Sequence, residues 1–182
     1  MSRSSYGQDP TPSAVKRRWR TPRPLFDAVN ARYSFGLDAA AEDGRLVPSF
    51  ITPEMDTLAA PWALYCPSNG WGETWAFLNP PWGNRCADFA GTQAFTRRAL
   101  SQRSTLTGVV LLCPSAPDTC WWRECFSAAS DVRFLPRIRF EHPDTGAIGD
   151  SPPGCGMTLF ELRAHSTTER RVSLADGLGR VA

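Results

Sequence analysis

Histidine is nearly missing from this chain: His142 and His165 are the only two in 182 residues. A metal centre built on imidazoles, or a Ser-His triad, has little material, which argues against metallohydrolase and serine-hydrolase chemistry. No metal is expected. The six cysteines, at positions 66, 86, 113, 120, 125 and 155, contain no C-x-x-C pair and are expected to be reduced thiols rather than disulfides or zinc ligands. Long apolar runs are missing as well. None approaches the ~20 residues that span a bilayer, and the first residues lack the continuous apolar core of a secretory signal. A cytoplasmic protein with no membrane partner is therefore expected. Charge of one sign is also scarce, the net being +2, so bulk charge announces no polyanionic partner.

What is present fits one globular domain. Hydrophobic residues make up 42% and aromatics 11%, enough for a sizeable core in a chain of this length. The distribution of charge says more than its sum. Lys16, Arg17, Arg18, Arg20 and Arg23 cluster early, and Arg133, Arg137 and Arg139 recur later. Such clusters neutralise phosphates without reading sequence, although a solvated surface tail explains the first cluster equally well. Residues 1–18 are polar, Ser- and Pro-containing and aperiodic, and read as a flexible basic arm. A domain is expected over 19–163, followed by a polar C-terminal tail over 164–182.

Within that domain strands alternate with helices. Leu25, Phe26, Val29 and Tyr33 fall on one helical face, with Thr21 or Pro22 just before the helix start. Ser34 to Asp38 reads as a first strand, ending in an acid and three alanines but with no G-x-G. Residues 61–74 read as a loop or hairpin covering a pocket. Trp75 to Leu78 reads as a short buried strand, and a helix carrying Phe89, Phe95 and Leu100 follows Gly83-Asn84-Arg85. Thr107 to Pro114 is the clearest strand, apolar and stopped by proline. A helix over 115–130, a strand over 132–140 with an edge or bulge at Pro136, and a closing strand over 156–162 complete the domain. The pattern predicts an α/β fold with a mostly parallel sheet and helices on both faces.

The chemistry concentrates in Asn79-Pro80-Pro81-Trp82. Two prolines cannot donate to a sheet, so the strand ends there, and Pro80 holds Asn79 extended. The stiff turn brings together a carboxamide, a free proline carbonyl and a large aromatic face, which suits a flat ring bearing an NH2 group. An ordinary proline-rich turn is the plainer alternative.

An Asn-Pro-Pro-aromatic tetrapeptide at a strand end resembles the catalytic motif of amino-methyltransferases that use S-adenosylmethionine. The ordered set Trp19-Arg20-Thr21-Pro22, Phe35 to Ala41, Asn79 to Trp82, Val109 to Pro114 and Val132 to Phe140 is similar to the phage-type DNA N6-adenine methyltransferases. It spans residues 19 to 163. The resemblance implies a Rossmann-like methyltransferase fold and double-stranded DNA as partner. It also implies catalysis by Asn79, Pro80, Pro81 and Trp82 on an adenine flipped from the duplex. Thr21, Pro22, Asp38, Ala39 and Asp56 would bind the cofactor. Asp38 would face the methionine ammonium, and Asp56 would meet the ribose or the adenine. Trp82, with Phe140 as a second face, would stack on the target base. An RNA or protein-glutamine amino-methyltransferase would use the same turn, and a non-catalytic nucleic-acid-binding module would need neither Asn79 nor Asp38.

Overall fold

The computed structural model describes residues 17–86, 90–149, 154–165, 169–176 and 178. Six strands form one sheet: β1 (Leu37–Asp38), β2 (Trp75–Leu78), β3 (Gly108–Pro114), β4 (Asp131–Leu135), β5 (Met157–Arg163) and β6 (Arg171–Leu174), in the order β1-β2-β3-β5-β4-β6. β5 runs antiparallel to both of its neighbours, and the other three pairings are parallel. Five strands therefore share one direction, as the apolar runs of β2 and β3 predict for strands covered on both faces.

The two faces follow from the two-residue period of a strand. Ala76 and Leu78 of β2 and Val109, Leu111 and Cys113 of β3 point to one side. There they meet Ala99 of α2 (Thr92–Gln102) and Trp122 and Cys125 of α3 (Cys120–Ala128). Trp75, Phe77, Val110 and Leu112 point to the other side, onto α1 (Arg23–Tyr33). Leu25, Phe26, Val29 and Tyr33 are the buried residues of α1, the face that their spacing predicts. Burying each such side chain contributes roughly 1.5–3 kcal/mol. Gly108 is required by this packing, because a Cβ there would lie 2.4 Å from the ring of Trp75.

Several expectations change. The helix after Gly83 begins at Thr92 and buries the small residues Thr92, Thr96 and Ala99, with Phe95 and Leu100 only partly covered; Phe89 lies outside the described residues. β4 stops at Leu135, because Pro136 cannot continue the ladder and the chain leaves the sheet. Residues 171–174 are not part of a polar tail: they form β6 and pair in parallel with β4. Residues 61–74 pack at the entry ends of β1 and β2, where Asn69 Nδ2 donates to the Tyr33 carbonyl at 3.2 Å, and do not line the main cavity. Apart from Arg17 and Arg18, the expected arm lies outside the described residues. Among the described residues, no helix is long and apolar enough to cross a membrane.

Candidate active site

β1 and β2 are neighbours, with Asp38 opposite Phe77, so the carboxyl ends of both strands open on one crevice, where α/β sheets bind ligands. A cavity of about 300 Å³ sits there. Asp38, Ala40, Ile51, Phe95, Asn79 and Pro81 are among the residues of its wall. Ala39, by contrast, is fully buried in the core, and Ala40 and Ala41 reach the cavity in its place. The loop needs no G-x-G because it is tied down directly: Ala39 N–H donates to the Phe77 carbonyl at 2.9 Å and Ala41 N–H to that of Ile51 at 3.0 Å. The bridge between Asp38 and Phe50 extends the sheet edge beside this loop.

Asp38 is 5% exposed. Burial pushes its carboxyl up to about 7, against the opposing pull of the Ala40 N–H and the Arg45 guanidinium. Asp56 lies on the cavity rim. It is exposed and left-handed at φ 54°, and its Oδ1 accepts from Leu58 N–H at 3.0 Å.

Asn79 stands one residue past β2. Its Nδ2 donates to Thr21 Oγ1 at 3.0 Å, whereas its Oδ1 is buried with no hydrogen-bond partner among the described residues. A buried acceptor left open is costly, and one beside a cavity suits an incoming donor. Pro80 is buried and Pro22 leads into α1, its carbonyl accepting from Phe26 N–H at 3.0 Å; neither lines the cavity. Thr92, which the sequence pattern does not single out, fastens the turn. Its hydroxyl accepts from Gly83 N–H at 2.9 Å and lies within donating distance of the Pro81 and Gly83 carbonyls, at 3.2 and 3.3 Å.

Trp82 is half-buried, and its Nε1 has no partner among the described residues. Phe140 meets it edge-on, with centroids 4.7 Å apart and planes at 88°. Phe140 is only 4% exposed. This corrects the expectation of a second stacking face: Phe140 belongs to the core and buttresses Trp82, because the hydrophobic drive buries the ring that the sheet cannot cover.

The basic clusters also divide. Arg18 pairs with Glu42 and Asp144, and Arg20 with Glu42 and Asp43, so these arginines close over the cavity mouth on acidic partners. Arg133 is buried and paired with Asp131 at 3.0 Å. Arg137 and Arg139 are exposed. Arg45, also missed from sequence, donates to the Thr21 carbonyl at 2.7 Å and pairs with Glu141 at 2.9 Å.

A family model described as DNA N-6-adenine-methyltransferase (Dam) matches residues 8–176. This chain belongs to that family. A DNA N-6-adenine-methyltransferase of Haemophilus phage HP1 is 32% identical over 163 residues, covering 85% of this chain and 84% of that protein. One of Escherichia phage T1 is 27% identical over 138 residues, covering 74% of this chain and 51% of that protein. This chain thus spans about half the length of the T1 relative and most of the HP1 one. Membership of a methyltransferase family implies a methyl donor.

Proposed function

We propose that this chain methylates the N6 amine of adenine in double-stranded DNA, using S-adenosylmethionine held in a Rossmann-like methyltransferase fold. The observation that carries the reading is the buried, unpartnered Oδ1 of Asn79 beside the cavity at the ends of β1 and β2. The donor set suits the cofactor. Asp38 offers a carboxylate for the ammonium, Ala40, Ile51 and Phe95 offer apolar wall for the adenosine, and Asp56 offers a rim acceptor for ribose hydroxyls. The parallel β1-β2-β3 unit, with α2 crossing between β2 and β3, supports the fold assignment.

When bound, S-adenosylmethionine supplies an electrophilic methyl group on its sulfonium. The work of this chain is to present the amine. Adenine's exocyclic nitrogen is a poor nucleophile because its lone pair is delocalised into the ring. Asn79 Oδ1 accepts one of its N–H bonds, and the contact strengthens as positive charge builds on nitrogen. This oxygen does not have to act as a strong base, because the methylated nitrogen is cationic and acidic enough to lose its proton to solvent, consistent with the near absence of histidine. Trp82, held edge-on by Phe140, stacks on the extruded base, a contact worth about 1–3 kcal/mol. Arg137 and Arg139 are the exposed cations offered to phosphates. DNA as substrate places the reaction in the cytoplasm of a bacterial or phage-infected cell.

The test follows labelled methyl groups into unmethylated DNA, with adenine and N6-methyladenine separated after digestion. Asn79→Ala is expected to lower turnover about 100- to 1,000-fold, the usual cost of one preorganised polar group, with cofactor affinity unchanged. Trp82→Ala is expected to weaken DNA binding as well as rate, and Trp82→Phe to keep most of both. Full turnover in a folded Asn79→Ala protein rejects the mechanism, and label on cytosine, RNA or protein rejects the substrate.

A further inference from the structure

Asn79 can present its carboxamide in two ways, and only one of them serves an amine. With Oδ1 towards the substrate, an acceptor meets a donor. With Nδ2 there, two donors meet. The two ends of the group have nearly the same size, so packing alone does not choose between them.

Thr21 supplies the hydrogen bond that anchors the group. Its hydroxyl oxygen accepts from Asn79 Nδ2 at 3.0 Å, and this leaves Oδ1 as the open atom. Thr21 is 3% exposed, so water competes poorly for either partner. Its backbone is clamped from two sides. Arg45 Nη2 donates to the Thr21 carbonyl, and the preceding Arg20 exchanges two backbone hydrogen bonds, both 2.9 Å, with Glu141. Glu141 in turn pairs with Arg45 and accepts from Arg23 N–H at the start of α1. A hydroxyl carried on a backbone held this firmly keeps its amide partner in place.

We propose that Thr21 is a positioning residue for methyl transfer, which acts by anchoring the Asn79 carboxamide beside the target amine. The proposal rests on the reading of Asn79 as the acceptor of that amine. Thr21 itself lines the cavity, and through Asn79 it gains a task at the target base.

Thr21→Val keeps the side-chain shape and removes the acceptor. Turnover is expected to fall about 10- to 100-fold, the scale of a misoriented catalytic group, with the KM for DNA and the calorimetric affinity for S-adenosylmethionine within about twofold of wild type. Thr21→Ser restores the acceptor and is expected to bring turnover back to within about threefold. In the protein without DNA or cofactor, NMR should show the Asn79 side-chain amide protons exchanging faster in Thr21→Val than in wild type. Added to Asn79→Ala, Thr21→Val should cost nothing more, because a residue acting through another is not additive with it. Wild-type turnover in folded Thr21→Val overturns the proposal. So does a large loss of cofactor affinity at unchanged turnover, which would make Thr21 a cofactor contact. Full activity of Asn79→Ala alone is a different failure, since it removes the underlying reading of Asn79 itself.

Discussion

At the scale of single residues, two polar groups at the cavity are kept from water. Asn79 Oδ1 is buried without a hydrogen-bond partner among the described residues, and Asp38 is held in a place where its charge is costly. A carboxyl raised to about 7 by burial is largely protonated at pH 6 and ionised at pH 8. A cationic ammonium pairs only with the ionised form. Affinity for S-adenosylmethionine is therefore expected to rise with pH through 7, approaching about tenfold per unit below that value. Calorimetry near pH 6.5 in buffers of differing ionisation enthalpy should detect a proton released on binding, and Asp38→Asn should abolish both the proton release and the pH dependence. A pH-independent affinity in the wild type would detach Asp38 from the ammonium. For stability the sign is reversed. Because the folded value lies above the unfolded one, Asp38 favours the fold at low pH, and that contribution is lost as pH rises towards 7.

At the scale of elements, the Asn-Pro-Pro-Trp turn is a strand end that two prolines have stripped of donors, and α2 supplies what they removed. Thr92 gives Gly83 N–H an acceptor and lies within donating distance of the Pro81 carbonyl. Thr92→Val is expected to cost about 1–2 kcal/mol in urea denaturation and to lower turnover by loosening the turn. Thr92→Ser should recover both. Unchanged stability and unchanged turnover in Thr92→Val would show that the prolines alone hold the turn. β6 illustrates the converse case. Three of its four residues are exposed, so no alternation marks it, and it exists because β4 offers an unpaired edge.

Across the whole molecule, the cavity beside Asp38 and Asn79 and an ionic cluster around Glu161 occupy opposite ends of the sheet. Glu161, 3% exposed, accepts from Tyr33 Oη at 2.6 Å and pairs with Arg163 at 2.6 Å and Arg32 at 3.1 Å. Asp131 beside it takes Arg133 and Arg32. Burial opposes ionisation of Glu161, but the hydrogen bonds from Tyr33, Arg163 and Ser130 win and hold its carboxyl below the usual range. Its stabilisation is therefore complete above the ordinary carboxylate range, near 4.3, and is lost as pH falls through the lower folded value. Glu161→Ala is expected to destabilise by about 1–3 kcal/mol, since it leaves the buried Tyr33 hydroxyl without its acceptor. Below its melting temperature the variant should still bind S-adenosylmethionine normally. A loss of affinity in the folded variant would mean that the two ends of the sheet are coupled.

The sequence by itself determined the periodic parts and the Asn-Pro-Pro-Trp strand end. The apolar spacing of Leu25, Phe26, Val29 and Tyr33, the run from Val109 to Cys113 stopped by Pro114, and the Asn79-Pro80-Pro81-Trp82 strand end each follow from local backbone rules that need no distant partner. Tertiary structure decided which groups meet. Thr21 and Asn79 are 58 positions apart, and nothing in either neighbourhood encodes the bond between them. Arg133 and Arg137 look alike in a run of alternating basic residues, yet one is buried against Asp131 and the other exposed, because Pro136 ends the strand between them. Ala39 and Ala40 differ only in which side of the β1 end they face. Periodicity is set by the geometry of one chain segment, whereas partner choice is set by sheet order and by which polar atoms burial leaves without water. Those are properties of the assembled core.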